Sequence, residues 1–190
     1  MKVVAGPGGC GKTEFLEDPL KRISETALPD ELKDIVHEGK RAMQLKNVWE
    51  TKEGLPSELW IHVDFFNAVG KWRLKTSDLL EDLQAGLVGR WDRLSVLSEA
   101  EELHIVTLFV KREVTFRRFI DRHISEGKNP ETIGTRRANV YGPDEVSEKL
   151  YSAMYDSWYA FTESLNAKSY WTVDGSEDQY FLHQGSCHVG

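Results

Sequence analysis

Residues Gly6-Pro-Gly-Gly-Cys-Gly-Lys-Thr13 hold the densest chemistry in this chain of 190 residues. Their glycines let successive backbone N–H groups turn inward without Cβ clashes, forming a nest for anionic oxygens. A helix opening at Lys12 adds the positive end of its dipole. Lys12 supplies a mobile cation that can follow the outer oxygens of a polyphosphate, and Thr13 a hydroxyl suited to Mg²⁺. The chemistry these types and spacings describe is the holding of phosphate groups beside a hard cation.

Further candidates lie downstream. Asp64 closes the apolar run "LWIHVDFF". A carboxylate there can hold Mg²⁺ through water or accept the proton of a substrate hydroxyl, or it can cap the next turn or pair with a basic neighbour. His62, two residues earlier, points to the same face and reads as a buried, hydrogen-bonded histidine. Between Lys111 and Arg137 eight Lys or Arg face four acids, a stretch of +4 within a chain of net charge −7. Such a local field suits a particular anionic ligand, although mixed charges also suit a solvated helix. Arg118 and Arg122 are four apart, hence on one helical face opposite Phe119 and Ile120, and Arg136-Arg137 follow in a loop. Tyr151, Tyr155 and Tyr159 form a stripe that, with Trp158, floors a pocket, joins the core or makes a homodimer contact. Cys10, beside Lys12 at a helix start, is placed to favour its thiolate, so that a thiol reagent inactivates the protein and a bound polyphosphate ligand protects it.

The elements that must position these groups alternate. Strands are predicted over Met1–Ala5, Leu59–Phe66, Leu103–Val110 and Ser169–Val173, with a fifth within Arg93–Leu97. Helices are predicted from Lys12 to Pro19 and over Pro29–Val48, Asp78–Leu87 (capped by Ser77), Lys111–Glu126 and Pro143–Leu165. In the fourth of these, Phe116, Phe119, Ile120 and Ile124 form the inner face. Such alternation gives parallel βαβ units and a three-layer α/β/α fold with a mainly parallel sheet of about five strands. One domain is expected over 1–174, with an arginine-containing lid at about 127–142 and a polar tail over 175–190.

Composition narrows the partners. A hydrophobic share of 40% and a charged share of 29% describe an ordinary folded chain. No apolar run reaches the roughly 20 residues that span a bilayer, and the acidic balance argues against generic nucleic-acid binding. Two cysteines, Cys10 and Cys187, make no disulfide framework, which suits the cytoplasm.

The pattern Gly6-x-x-x-x-Gly11-Lys12-Thr13 resembles in full the phosphate-binding loop (Walker A) of the P-loop NTPase superfamily. The likeness is specific over Val3–Thr13 and extends beyond only as strand and helix order. It implies a doubly wound sheet with ATP or another nucleoside triphosphate at the carboxyl ends of its strands. Gly6, Gly8, Gly9, Cys10, Gly11, Lys12 and Thr13 would hold the nucleotide, and Thr13 and Asp64 the Mg²⁺. "REVTFRRFIDRH" after "HIVTLFV" looks like the arginine-rich helix of small P-loop kinases, where arginines of helix and lid neutralise transferring phosphoryl charge. Lys12, Asp64, Arg118, Arg122, Arg136 and Arg137 are then the catalytic candidates for moving a γ-phosphate to a small-molecule or nucleotide acceptor. Asp92-Arg93 faintly resembles the acceptor-contacting pairs of such kinases. A regulatory ATPase or switch, or a sulfotransferase-like protein on the same fold, are the alternatives. The missing Asn-Lys-x-Asp motif disfavours a GTPase, and the complete Gly-Lys-Thr ending disfavours the sulfotransferase.

Overall fold

The computed structural model describes residues 1–51, 59–65, 80–81, 92–129 and 141–186. Six strands form one sheet in the order β2-β3-β1-β4-β5-β6. They are β1 (Lys2–Gly6), β2 (Met43–Gln44), β3 (Trp60–Asp64), β4 (His104–Phe109), β5 (Ser169–Asp174) and β6 (Phe181–Gln184). Pairings from β2 through β5 are parallel, and β6 returns antiparallel along β5. The four principal strands are those expected from sequence. Their near-continuous apolar runs follow from burial on both faces, the condition of a parallel sheet under helices.

Alternation along each strand divides two cores. Val3, Ala5, Ile61, Val63 and Ile105 face a cluster containing Leu150, Met154 and Trp158. Val4, Val106 and Leu108 face the other way, toward Phe15, Leu16, Leu32 and Ile35. The first cluster is covered by a helix over Glu145–Glu163, the second by the short helix over Lys12–Glu17 and the turns after it. Helix Arg112–Ser125 follows β4 and approaches the glycine loop.

Several expectations are corrected. Pro29–Val48 is not one helix: it is broken into turns at Asp30–Leu32 and Gly39–Arg41, a helical turn at Ile35–Glu38, strand β2, and a helix over Leu45–Thr51. Periodicity was satisfied in pieces, because Leu32 and Ile35 reach the core from a tight turn while Met43 and Gln44 leave to pair with Ile61 and His62. Arg93–Leu97 is not a strand. It lies in a 3₁₀ turn (Asp92–Leu94) and a helical turn (Ser95–Ser98) that bury Leu94 and Leu97, three apart, on one side. The fifth and sixth strands are instead β2 and β6, the latter inside the segment expected to be an unpatterned tail. Of the helix expected over Asp78–Leu87 only Leu80 and Glu81 are described, and both are helical.

The helix over Glu145–Glu163 matches its sequence reading. Asp144 caps it, accepting from the Ser147 N–H at 2.8 Å and the Ser147 hydroxyl at 2.9 Å. The tyrosine stripe on this helix is core, not a pocket floor or homodimer contact: Tyr151, Tyr155, Tyr159 and Trp158 are all buried. Tyr155 donates to the Leu108 carbonyl (2.9 Å) and Tyr151 to the Val110 carbonyl (2.6 Å), so the stripe fixes the carboxyl end of β4.

Gly39 docks where the turns meet the Lys12–Glu17 helix. A Cβ there would stand 2.3 Å from the Leu16 carbonyl oxygen and 2.9 Å from Ile35 Cγ1. Helical propensity alone favours Ala over Gly by about 0.5–1 kcal/mol. The backbone clash reverses that sign, and Gly39→Ala should destabilise by about 1–3 kcal/mol in urea unfolding. An equal or raised urea midpoint would contradict this packing.

Candidate functional site

The site begins where β1 ends. Gly6 and Asp64 are direct partners in the β1–β3 register, so the sheet itself sets the first glycine of the loop beside the carboxylate. β1 leads toward β2 and β4 toward β5 on the other side, leaving a crevice at the carboxyl ends of these central strands. A cavity of about 600 Å³ opens there. Gly8, Gly9, Gly11, Lys12, Thr13, His62, Asp64, Arg118, Arg122 and Tyr141 contribute to its walls.

Close approach explains the glycines. A Cβ at Gly6 would lie 2.6 Å from Cys10 Sγ and 3.0 Å from the Leu108 carbonyl oxygen. Gly9 (φ 88°) and Gly11 (φ 98°) adopt the left-handed region that side chains avoid. Among the described residues the N–H groups of Gly8, Gly9 and Gly11 have no hydrogen-bond acceptor. Unpaired backbone donors around a polar cavity are what an anion of several oxygens would satisfy.

Lys12 is 4% exposed. Its ammonium donates to the carbonyls of Gly6 (2.8 Å) and Pro7 (2.6 Å) and stands 3.5 Å from Asp64 Oδ2. A buried charge requires such partners. Asp64 thus stands at the strand end expected and is paired with a basic neighbour, one of the readings the sequence offered. His62 shares its face and accepts or donates at Nδ1 with Gln44 Nε2. Burial, then Lys12, push the His62 pKa down to about 4, which leaves the ring neutral at pH 7.

The arginines divide. Arg118 and Arg122 both reach the cavity, but Phe119 lines it with them and is not on an opposite side. Ile124, expected on the inner face, is 56% exposed. Arg118 donates to the carbonyls of Gly175 (2.8 Å) and Cys10 (3.4 Å), tying the loop after β5 to the glycine loop. Arg122 is largely exposed, 3.7 Å from Glu126, a pairing that solvent weakens. Arg136 and Arg137 lie outside the described residues, as does most of the expected lid. The side chain of Asp92 lies outside the described residues, and Arg93 is not among the described residues that line the cavity.

Sequence reasoning missed five contributors. Tyr141 donates to the Gly8 carbonyl at 2.6 Å. Arg22 stacks on Tyr180 at 4.1 Å, donates to Gly175 O and Asp178 O, and approaches Glu14. Glu14 and Lys21 pair at 2.9 Å at the cavity's mouth. No periodicity marks these residues, since each acts through a tertiary approach. Among the described residues no cluster of three His, Cys, Asp or Glu could hold a metal, so a cation here would lean on Thr13, Asp64 and ligand oxygens. No helix among the described residues is long and apolar enough to cross a membrane. In comparisons with known proteins, no family model, curated protein or solved structure matches the chain.

The expectation for Cys10 is overturned. Its side chain is fully buried, and burial raises the thiol pKa more than Lys12 lowers it. Iodoacetamide should therefore leave Cys10 unmodified in the native protein and alkylate it only in urea, read by peptide mass spectrometry. Rapid native labelling at Cys10 would show the thiol to be accessible.

Proposed function

We propose that this chain is a P-loop phosphotransferase, an enzyme that moves the γ-phosphate of ATP to a small-molecule or nucleotide acceptor. The observation that carries the reading is the convergence of Lys12, Thr13, Asp64, Arg118 and Arg122 on one cavity at the carboxyl ends of β1 and β3. The open N–H groups of the loop fit a triphosphate. A Mg²⁺ ion arriving with the nucleotide would be held by the Thr13 hydroxyl and Asp64, and supplies charge neutralisation at the phosphoryl oxygens.

In this reading the Lys12 ammonium pivots from the Gly6 and Pro7 carbonyls toward the outer phosphates. Asp64 accepts the proton of the acceptor hydroxyl as its oxygen bonds to the γ-phosphorus. The bond from that phosphorus to the β–γ bridging oxygen breaks, and ADP leaves. Arg122, exposed and weakly paired, is free to swing onto the equatorial oxygens, and Arg118, tied to the Cys10 carbonyl in the free protein, turns from it toward the ligand. Arg136 and Arg137 belong to the same proposal as lid residues.

The test is ATP turnover measured with and without a metabolite panel. Turnover should rise with a matching acceptor, and Lys12→Ala should lower it by at least about 100-fold. Asp64→Asn should lower kcat more than it raises the KM for ATP. Strong turnover with no acceptor would favour a regulatory ATPase instead, and turnover indifferent to Lys12→Ala would remove the phosphate role of the loop.

A further inference from the structure

Three side chains determine which way the peptides of the glycine loop face. Lys12 takes the carbonyls of Gly6 and Pro7, Tyr141 that of Gly8, and Arg118 that of Cys10. A trans peptide is planar, with its C=O and N–H pointing in opposite directions. Whatever captures a carbonyl therefore also aims the next residue's N–H. The Tyr141 hydroxyl aims Gly9, and the Arg118 guanidinium aims Gly11.

These donors differ in one respect. Lys12 and Arg118 are cations, and an anionic ligand competes with the carbonyls for them. Tyr141 is neutral, so phosphates offer it no comparable attraction. It is also held from behind. Its ring is 1% exposed, with centroids 5.9 Å from both Phe119 and Tyr151, and Arg112 donates to the neighbouring Gly142 carbonyl. Tyr151 in turn packs against Tyr155 at 5.4 Å, and both donate to the end of β4. The hydroxyl thus reaches the loop from a rigid aromatic column rooted in the sheet, 133 positions away in sequence.

We propose that Tyr141 is the positioning residue of the glycine loop: its hydroxyl presets the Gly8–Gly9 peptide for a polyphosphate and holds it there when Lys12 and Arg118 are drawn to the ligand. The inference rests on the reading of the loop as a phosphate site, and goes beyond it by naming the group that organises the free loop. It also gives Tyr141 a role distinct from the lid arginines just before it in sequence.

Tyr141→Phe keeps the ring and deletes only the donor. Calorimetric titrations of the wild type, Tyr141→Phe and Lys12→Ala with MgATP, and separately with inorganic tripolyphosphate, read the effect. They are run well below the unfolding transition, where a residue that merely stabilised the fold would leave affinity unchanged. Tyr141→Phe should bind both probes about 10-fold more weakly, by a similar factor for each, because the contact acts on phosphates and not on the base. Affinities within twofold of wild type for both probes would overturn the proposal. A wild type that binds neither probe would instead sink the phosphate reading. In that case amide exchange of Gly9 in the free protein decides whether the hydroxyl sets the peptide: faster exchange in Tyr141→Phe supports it, and an unchanged rate overturns it.

Discussion

A single ammonium group taken out of water organises this molecule. Lys12 has almost no contact with solvent, and its charge is tolerable only because two loop carbonyls and a carboxylate surround it. Satisfying it requires that the chain double back directly after β1, so that Gly6 and Pro7 turn their carbonyls toward a residue five and six positions later. It also requires that β3 lie beside β1 in the register that brings Asp64 level with Gly6. Shift that register by one residue and Asp64 would face the other core, leaving a buried cation without its counter-charge. The sheet order and the site are therefore one constraint met twice.

The second tier of the structure supports this arrangement from behind. β4 flanks β1 on the side opposite β3, and its carboxyl end is held by tyrosine hydroxyls from the longest described helix. A buried hydroxyl that captures a strand-end carbonyl satisfies a group the ladder leaves open, and it also fixes where the next helix starts. That next helix carries Arg118 and Phe119 to the loop. The tyrosines repeat every four residues, as a catalytic or ligand-binding stripe would, yet they serve the backbone.

Legibility in the sequence followed the range of the forces involved. β1, β3, β4 and β5 were readable because a strand buried on both faces must be apolar along its length. The helix after β4 and the helix capped by Asp144 were readable because periodicity and capping are local. The glycine loop was readable because few residue types tolerate its geometry, and Asp64 because a carboxylate ending an apolar strand calls for a reason. Pro29–Val48 misled because Leu32, Ile35 and Met43 are buried in separate short elements whose spacing mimics one helix. β6 escaped notice because only its pairing with β5 makes "FLHQ" a strand. Cys10 misled for a related reason. Neighbouring charge is visible in sequence, whereas complete burial under the loop is not, and burial wins. Arg22, Tyr141 and Tyr180 were illegible because their partners lie more than a hundred residues away.

That separation has a consequence for how the chain becomes competent. The glycine loop is synthesised well before one of its fasteners, the Gly175 carbonyl, which receives Arg118 and also Arg22, 153 positions earlier. Tyr180 then closes on Phe15, edge to face, and its N–H reaches back to the Arg22 carbonyl. A nascent chain grows from its amino terminus and folds as contacts become available. The loop must therefore wait, loosely held, until β5 and the turn after it have left the ribosome. Long-range closure of this kind slows folding. It also delays a finished loop until the sheet that carries it is nearly complete.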